Sequence, residues 1–113
     1  MNPFLSVCDI DTVISWYEDF LGFKCIYKSK LKQPEFATLE KDDQRIYLAQ
    51  DPEMESYAAN IFIIETDNIQ KSFDEAVSKG CIIMQEIGEG FWSQKQFLIK
   101  DYEDNKIVFV QKA

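Results

Sequence analysis

The sequence contains no histidine. The imidazole is the side chain best suited to proton transfer near neutral pH, so a Ser-His-Asp triad and a histidine-containing metal triad are both excluded. Three cysteines, Cys8, Cys25 and Cys81, are too few and too scattered for a disulfide framework, and their apolar surroundings point to buried thiols in a reducing compartment. With no imidazole beside them, none is set up as a nucleophile. Only four glycines are present and they form no phosphate-cradling loop. No apolar run reaches the roughly eighteen residues of a membrane span, and Met1-Asn2-Pro3-Phe4-Leu5 lacks the basic segment that opens a signal peptide. The expected location is the cytoplasm. Positive charge is also scarce, with 12 Lys and Arg against 20 Asp and Glu, a net charge of -8. Such a chain would repel a phosphate backbone, so nucleic acid is excluded as a partner. A neutral or cationic ligand fits this charge better, although acidity also serves solubility alone.

What is abundant is apolar surface. Of the 113 residues 46% are hydrophobic and 14% aromatic, enough for a packed core. Pro3 to Cys8 alternates as a strand. Asp9 or Asp11 then caps a helix whose Val13, Ile14, Trp16, Tyr17, Phe20 and Leu21 recur at helical spacing, and Gly22 supplies its left-handed stop. Strands are expected at 23–28, 35–40 and 45–50, followed by an acidic, proline-containing linker at 51–59. The order then repeats: a strand at 61–66, a helix capped by Asp67 or Asn68 and stopped near Gly80, a strand at 81–87, a mobile loop at 88–93 and a C-terminal hairpin turning at Asp104-Asn105. Ile10 and Ile69, Gly22 and Gly80, and Ile46 and Ile107 are separated by nearly the same interval, the mark of a tandem duplication.

Two β-α-β-β-β modules in tandem resemble the vicinal oxygen chelate superfamily of glyoxalase I, extradiol dioxygenases, fosfomycin resistance enzymes and bleomycin resistance proteins. Leu5-Ser6-Val7-Cys8-Asp9-Ile10, then Trp16-Tyr17 and Leu21-Gly22-Phe23, is similar to the opening motif of that family, and Phe91-Trp92-Ser93-Gln94-Lys95-Gln96-Phe97 and Asp101 to Asn105 resemble its later ones. Tyr102 and Asp104 replace the proline and glycine usual in the last of these. The resemblance implies one domain over residues 1–113, with module 1 at 1–50 and module 2 at 60–113. It also implies an α+β fold in which curved mixed sheets surround a groove, with helices on the outer face. Strand alternation then directs Leu5, Val7, Ile46, Leu48, Phe62, Ile64, Ile107 and Phe109 to the helices. Phe4, Ser6, Tyr47, Ala49, Ile61, Ile63, Glu65, Val108 and Val110 line the cup.

Enzymes of this superfamily usually hold a divalent metal through His, Glu or Gln at the first and last strand of each module. Carried over by resemblance, those places fall on Asn2, Ile61, Tyr47 and Val108, none of them an anionic or imidazole ligand. The expectation is therefore a protein with no metal and no cofactor, similar to the bleomycin resistance proteins. It would sequester a flat or cationic small molecule in an acidic, aromatic-lined groove and work as a homodimer. The binding residues would be Phe4, Ser6, Tyr47, Ile61, Glu65, Phe91, Trp92 and Val108, with Phe91 and Trp92 on the mobile loop. Two alternatives stand beside it. One is a lyase or isomerase holding Mg²⁺ or Mn²⁺ through Glu65 with Glu40 or Glu86. The other is a dimerisation module whose groove is closed by Phe4, Tyr47 and Trp92.

Overall fold

The computed structural model describes residues 3–29, 36–50, 61–90 and 94–112. The chain divides into two compact units, Met1–Ala58 and Ala59–Ala113. The first holds β1 (Phe4–Val7), α1 (Ile10–Leu21), β2 (Lys24–Lys28), β3 (Phe36–Lys41) and β4 (Gln44–Gln50). The second holds β5 (Ile61–Thr66), α2 (Ile69–Ser78), β6 (Ile82–Glu89), β7 (Lys95–Lys100) and β8 (Lys106–Gln111). Each unit is thus a β-α-β-β-β module and the fold is α+β. The expected linker at 51–59 lies outside the described residues.

The two units are built alike. Their four-stranded sheets run β1-β4-β3-β2 and β5-β8-β7-β6. In each, the first strand lies parallel to the last and the other pairings are antiparallel. A register shift falls between Cys25 and Tyr27 in one sheet and between Ile83 and Gln85 in the other, the same place in both copies.

The helices start where the sequence offers an oxygen to exposed backbone N–H groups. Asp9 caps α1 by accepting from the Thr12 N–H at 3.3 Å, and Asn68 caps α2 by accepting from the Lys71 N–H at 3.1 Å. Asp11 is no cap; it stands in the first turn and pairs with Lys28. A second tie repeats between units. Gln50, at the end of β4, accepts the Ile10 N–H at 2.8 Å, and Gln111, at the end of β8, accepts the Ile69 N–H at 2.8 Å. Both helices stop as expected, with Gly22 and Gly80 at φ values of 74° and 82°, open to a residue without a Cβ.

Each sheet buries one face beneath its helix. Leu5, Val7, Leu39, Ile46 and Leu48 meet the side of α1 that carries Ile10, Val13, Ile14, Tyr17 and Leu21. In the second unit Phe62, Ile64, Phe97, Ile99, Ile107 and Phe109 are buried, with Ile69 and Ala76 from α2. Removing such a side chain from water contributes roughly 1.5–3 kcal/mol each, which makes this layer the main source of stability. Phe97 stacks on Phe109 at 4.7 Å and meets Phe73 edge-on at 5.3 Å.

Four local expectations are corrected. Gly88 and Glu89 belong to β6 and not to a loop, because Gly88 pairs with Gln96 and Glu89 with Lys95. In the C-terminal turn only Asp104 takes a positive φ, 64°; Asn105 is held instead by the buried Asp101, whose carboxylate accepts its backbone and side-chain N–H groups at 2.9 Å. Cys8, Cys25 and Cys81 are half-buried and not enclosed. Val108 and Val110 keep the cup side of the sheet assigned to them, but both are buried, Val108 in spite of its expected binding role.

Candidate functional site

With the helix on one side, each sheet presents its other side, and the strand register fixes what stands there. In the first sheet Phe4, Tyr47, Thr38 and Tyr27 are direct cross-strand partners, so they form one row over all four strands. The row spans about 14 Å at the usual strand spacing of about 4.8 Å. Phe4 is 61% exposed and Tyr27 57%. Ser6, Ala49 and Phe36 form the row on one side of it. Arg45, Glu40 and Lys24 form the row on the other. Arg45 Nε donates to Glu40 Oε2 at 2.8 Å. That bond first, and one with Tyr47 second, raises the guanidinium pKa above its ordinary value.

The second sheet keeps this layout and changes its chemistry. Ile63, Val108, Leu98 and Gln85 stand where the first sheet has its aromatic row. Ile61, Lys106, Lys100 and Ile82 form a row on one side, and Glu65, Val110, Gln96 and Gly88 on the other. No aromatic side chain stands on this open face among the described residues.

The expected binding residues are distributed accordingly. Phe4 and Tyr47 are brought together as partners, with Ser6 in the neighbouring row. Ile61 is 62% exposed and Glu65 is exposed at the β5 edge. Val108, on a central strand between Ile63 and Leu98, is 9% exposed and offers a ligand little surface. Phe91, Trp92 and Asn2 lie outside the described residues. Tyr27, Phe36 and Arg45 were missed. The bulge in β2 hides the alternation that would have shown Tyr27, whereas Phe36 and Arg45 were open to a count in twos from Tyr47 and its partner strand.

Charge on the two open faces is mixed. The register puts Lys24, Arg45, Lys100 and Lys106 on the open faces, against Glu40 and Glu65. Most other carboxylates among the described residues, such as Asp11, Asp42, Asp74 and Asp104, stand on the helices and turns. The carboxylate metal site proposed as an alternative does not assemble. Glu65 and Glu86 are on β5 and β6, the two edges of the second sheet, about 14 Å apart. Glu40 is paired with Arg45 in the other unit. Among the described residues no three Cys, Asp or Glu side chains come close enough to share a cation.

The model of the Glyoxalase/Bleomycin resistance protein/Dioxygenase superfamily matches residues 2–109. The chain belongs to that superfamily. Solved structures repeat the fold at low identity. The bleomycin-binding protein complexed with bleomycin has a TM-score of 0.84 at 16% identity, over 100% of this chain and 98% of that one. TioX from Micromonospora sp. ML1 has a TM-score of 0.80 at 18%, over 99% and 98%. A glyoxalase I mutant from Zea mays has 0.83 at 22%, over 100% of this chain and 45% of that one. No curated protein matches. Within the superfamily, the places that hold a metal in its enzymes carry an exposed isoleucine at 61, a buried valine at 108 and a phenol at Tyr47 in contact with Arg45. Two of these side chains have no donor atom and the third offers only a phenol, so they do not fit a divalent cation.

Proposed function

We propose that the protein binds a flat small molecule and sequesters it without turnover, as a homodimer and without a metal. The observation that carries this reading is the row of Phe4, Tyr47, Thr38 and Tyr27 on the open face of the first sheet. It is a wide, partly exposed aromatic surface whose neighbouring rows hold no group of atoms arranged for catalysis. Rings stacked on such a surface gain about 0.5–1.5 kcal/mol per aromatic pair beyond simple burial, and hydroxyls from Tyr47, Thr38 and Tyr27 add directional contacts. The open face of the second sheet carries the exposed aliphatic side chains of Ile61 and Ile63. The likeness to a bleomycin-binding protein supports the class of function, since that relative holds its ligand in the same fold.

Calorimetric titration of the full chain with bleomycin and a panel of flat aromatic compounds of either charge tests the proposal. Saturable one-to-one binding per protomer is expected, unchanged by added Mn²⁺ or Mg²⁺, with a dimer seen by light scattering. Heat no greater than dilution across the whole panel would overturn it.

A further inference from the structure

The two open faces differ in what they offer a planar ligand. Among the described residues all aromatic side chains assigned to an open face stand on the first sheet, as Phe4, Tyr27, Phe36 and Tyr47. The row next to this aromatic surface reads Arg45, Glu40, Lys24, two cations around one carboxylate. That carboxylate is already satisfied by Arg45 at 2.8 Å. The net charge of -8 is a property of the whole chain and does not describe this face, since exposed charges are felt over only roughly 8 Å at physiological salt. Among the described residues the charged side chains of this face are thus two cations and one carboxylate that is already paired.

We infer that the open face of the first sheet takes a planar aromatic acid, its ring laid on the Phe4, Tyr47 and Tyr27 row and its carboxylate directed to Arg45. This rests on the small-molecule reading above and deepens it. The guanidinium is planar and offers several N–H donors in a fork that matches a carboxylate. Glu40 orients it and at the same time competes with the ligand for it. Arg45 and Tyr47 are two residues apart on one strand, so the acid group and the ring of one compact molecule reach both. A cationic ring at this place would meet Arg45 and Lys24 with only a paired Glu40 to receive it.

The test uses three probes that share one ring, 2-naphthoate, 2-naphthamide and 2-naphthylmethylammonium, titrated into the full chain by calorimetry at low and physiological salt. Naphthoate is expected to bind about tenfold more tightly than the amide and the ammonium least, and the gap between acid and amide to shrink as salt rises. Arg45→Met should abolish that gap and leave the amide unchanged. Glu40→Gln should tighten the acid severalfold, whereas a purely structural role for the Arg45 and Glu40 pair would weaken binding in both variants. Tyr27→Ala should weaken acid and amide alike. Equal binding of acid and amide, or tightest binding of the ammonium, overturns the inference while the small-molecule reading stands. So does failure of all three probes when other members of the flat aromatic panel bind. Silence from the probes and the panel together overturns both.

Discussion

Gln50 and Gln111 offer a measurement of how the sheets hold their helices. Each accepts the first N–H of a helix, that of Ile10 or Ile69, and these residues are 0% and 6% exposed. Removing the amide leaves a buried donor unpaired, which costs about 1–3 kcal/mol. Gln50→Ala and Gln111→Ala should therefore each destabilise by about 2 kcal/mol. With a urea dependence of about 1.5–2 kcal/mol per molar, the unfolding midpoint should fall by about 1 M with its slope unchanged. Substitution by Glu separates the two sites. At position 50 a carboxylate still accepts, and the helix N-terminus favours its charge by about 0.3–1 kcal/mol. At position 111 the amide also donates to the Asp67 carbonyl at 2.7 Å, and a carboxylate there would face that oxygen with no proton to share. Gln50→Glu should thus remain close to wild type, and Gln111→Glu should lose about 1–2 kcal/mol more. Alanine variants that shift the midpoint by less than about 0.2 M would show that water satisfies these helix ends and would refute the reasoning.

The C-terminal turn depends on Asp101, 4% exposed, which accepts from the Glu103 N–H and from both N–H groups of Asn105 at 2.9 Å. Asp101→Ala should cost about 3 kcal/mol and Asp101→Asn less, since one oxygen still accepts, as read by urea unfolding. Phe97 is fully buried between Phe73 and Phe109, so Phe97→Ala should cost about 3–5 kcal/mol, whereas Phe4→Ala should change stability by less than about 0.5 kcal/mol and show its effect in ligand titration. Burial pushes the Cys81 thiol pKa up, against a smaller opposing effect of Lys79. In a Cys8→Ser, Cys25→Ser background its alkylation rate should therefore keep climbing with pH beyond the ordinary thiol range, and a plateau at or below that range would count against it.

The module order and the helix-facing layer were legible in the sequence because they rest on local, periodic signals. Asp9 and Asn68 cap as short acceptors before apolar-periodic runs do, and Gly22 and Gly80 take the positive φ that their place demands. Leu5, Val7, Ile46 and Leu48 all proved buried, as strict alternation requires. The open face was half legible. Phe4, Ser6 and Tyr47 came from the same alternation, but Tyr27 lay behind a bulge that shifts the count by one, and no single-strand pattern states which residues become partners across strands. The burial of Val108 and Val110 was equally out of reach, since their sequence alternates no differently from that of Tyr47 and Ala49.

The repeated architecture also accommodates different residues at equivalent places. Register places Ala37 opposite Leu48 in the first sheet and Phe97 opposite Phe109 in the second, so Ala37 and Phe97 are equivalent. On the helices Tyr17 and Ala76 follow Ile10 and Ile69 by the same seven residues and are equivalent too; both are buried. The buried layer of the first unit thus combines a large helix residue with a small strand residue, and that of the second does the reverse. A packed layer requires constant total volume and not constant residues. Tyr17→Ala alone should leave a cavity costing about 3–5 kcal/mol, and Ala37→Phe alone should overpack at about 1–3 kcal/mol. If the second unit's solution is available to the first, the double variant should recover more than about 1 kcal/mol relative to the two single losses combined, as read from urea midpoints. Additivity within about 0.5 kcal/mol would show that the two positions do not share a space, and the compensation between helix and sheet would then have to run through other residues.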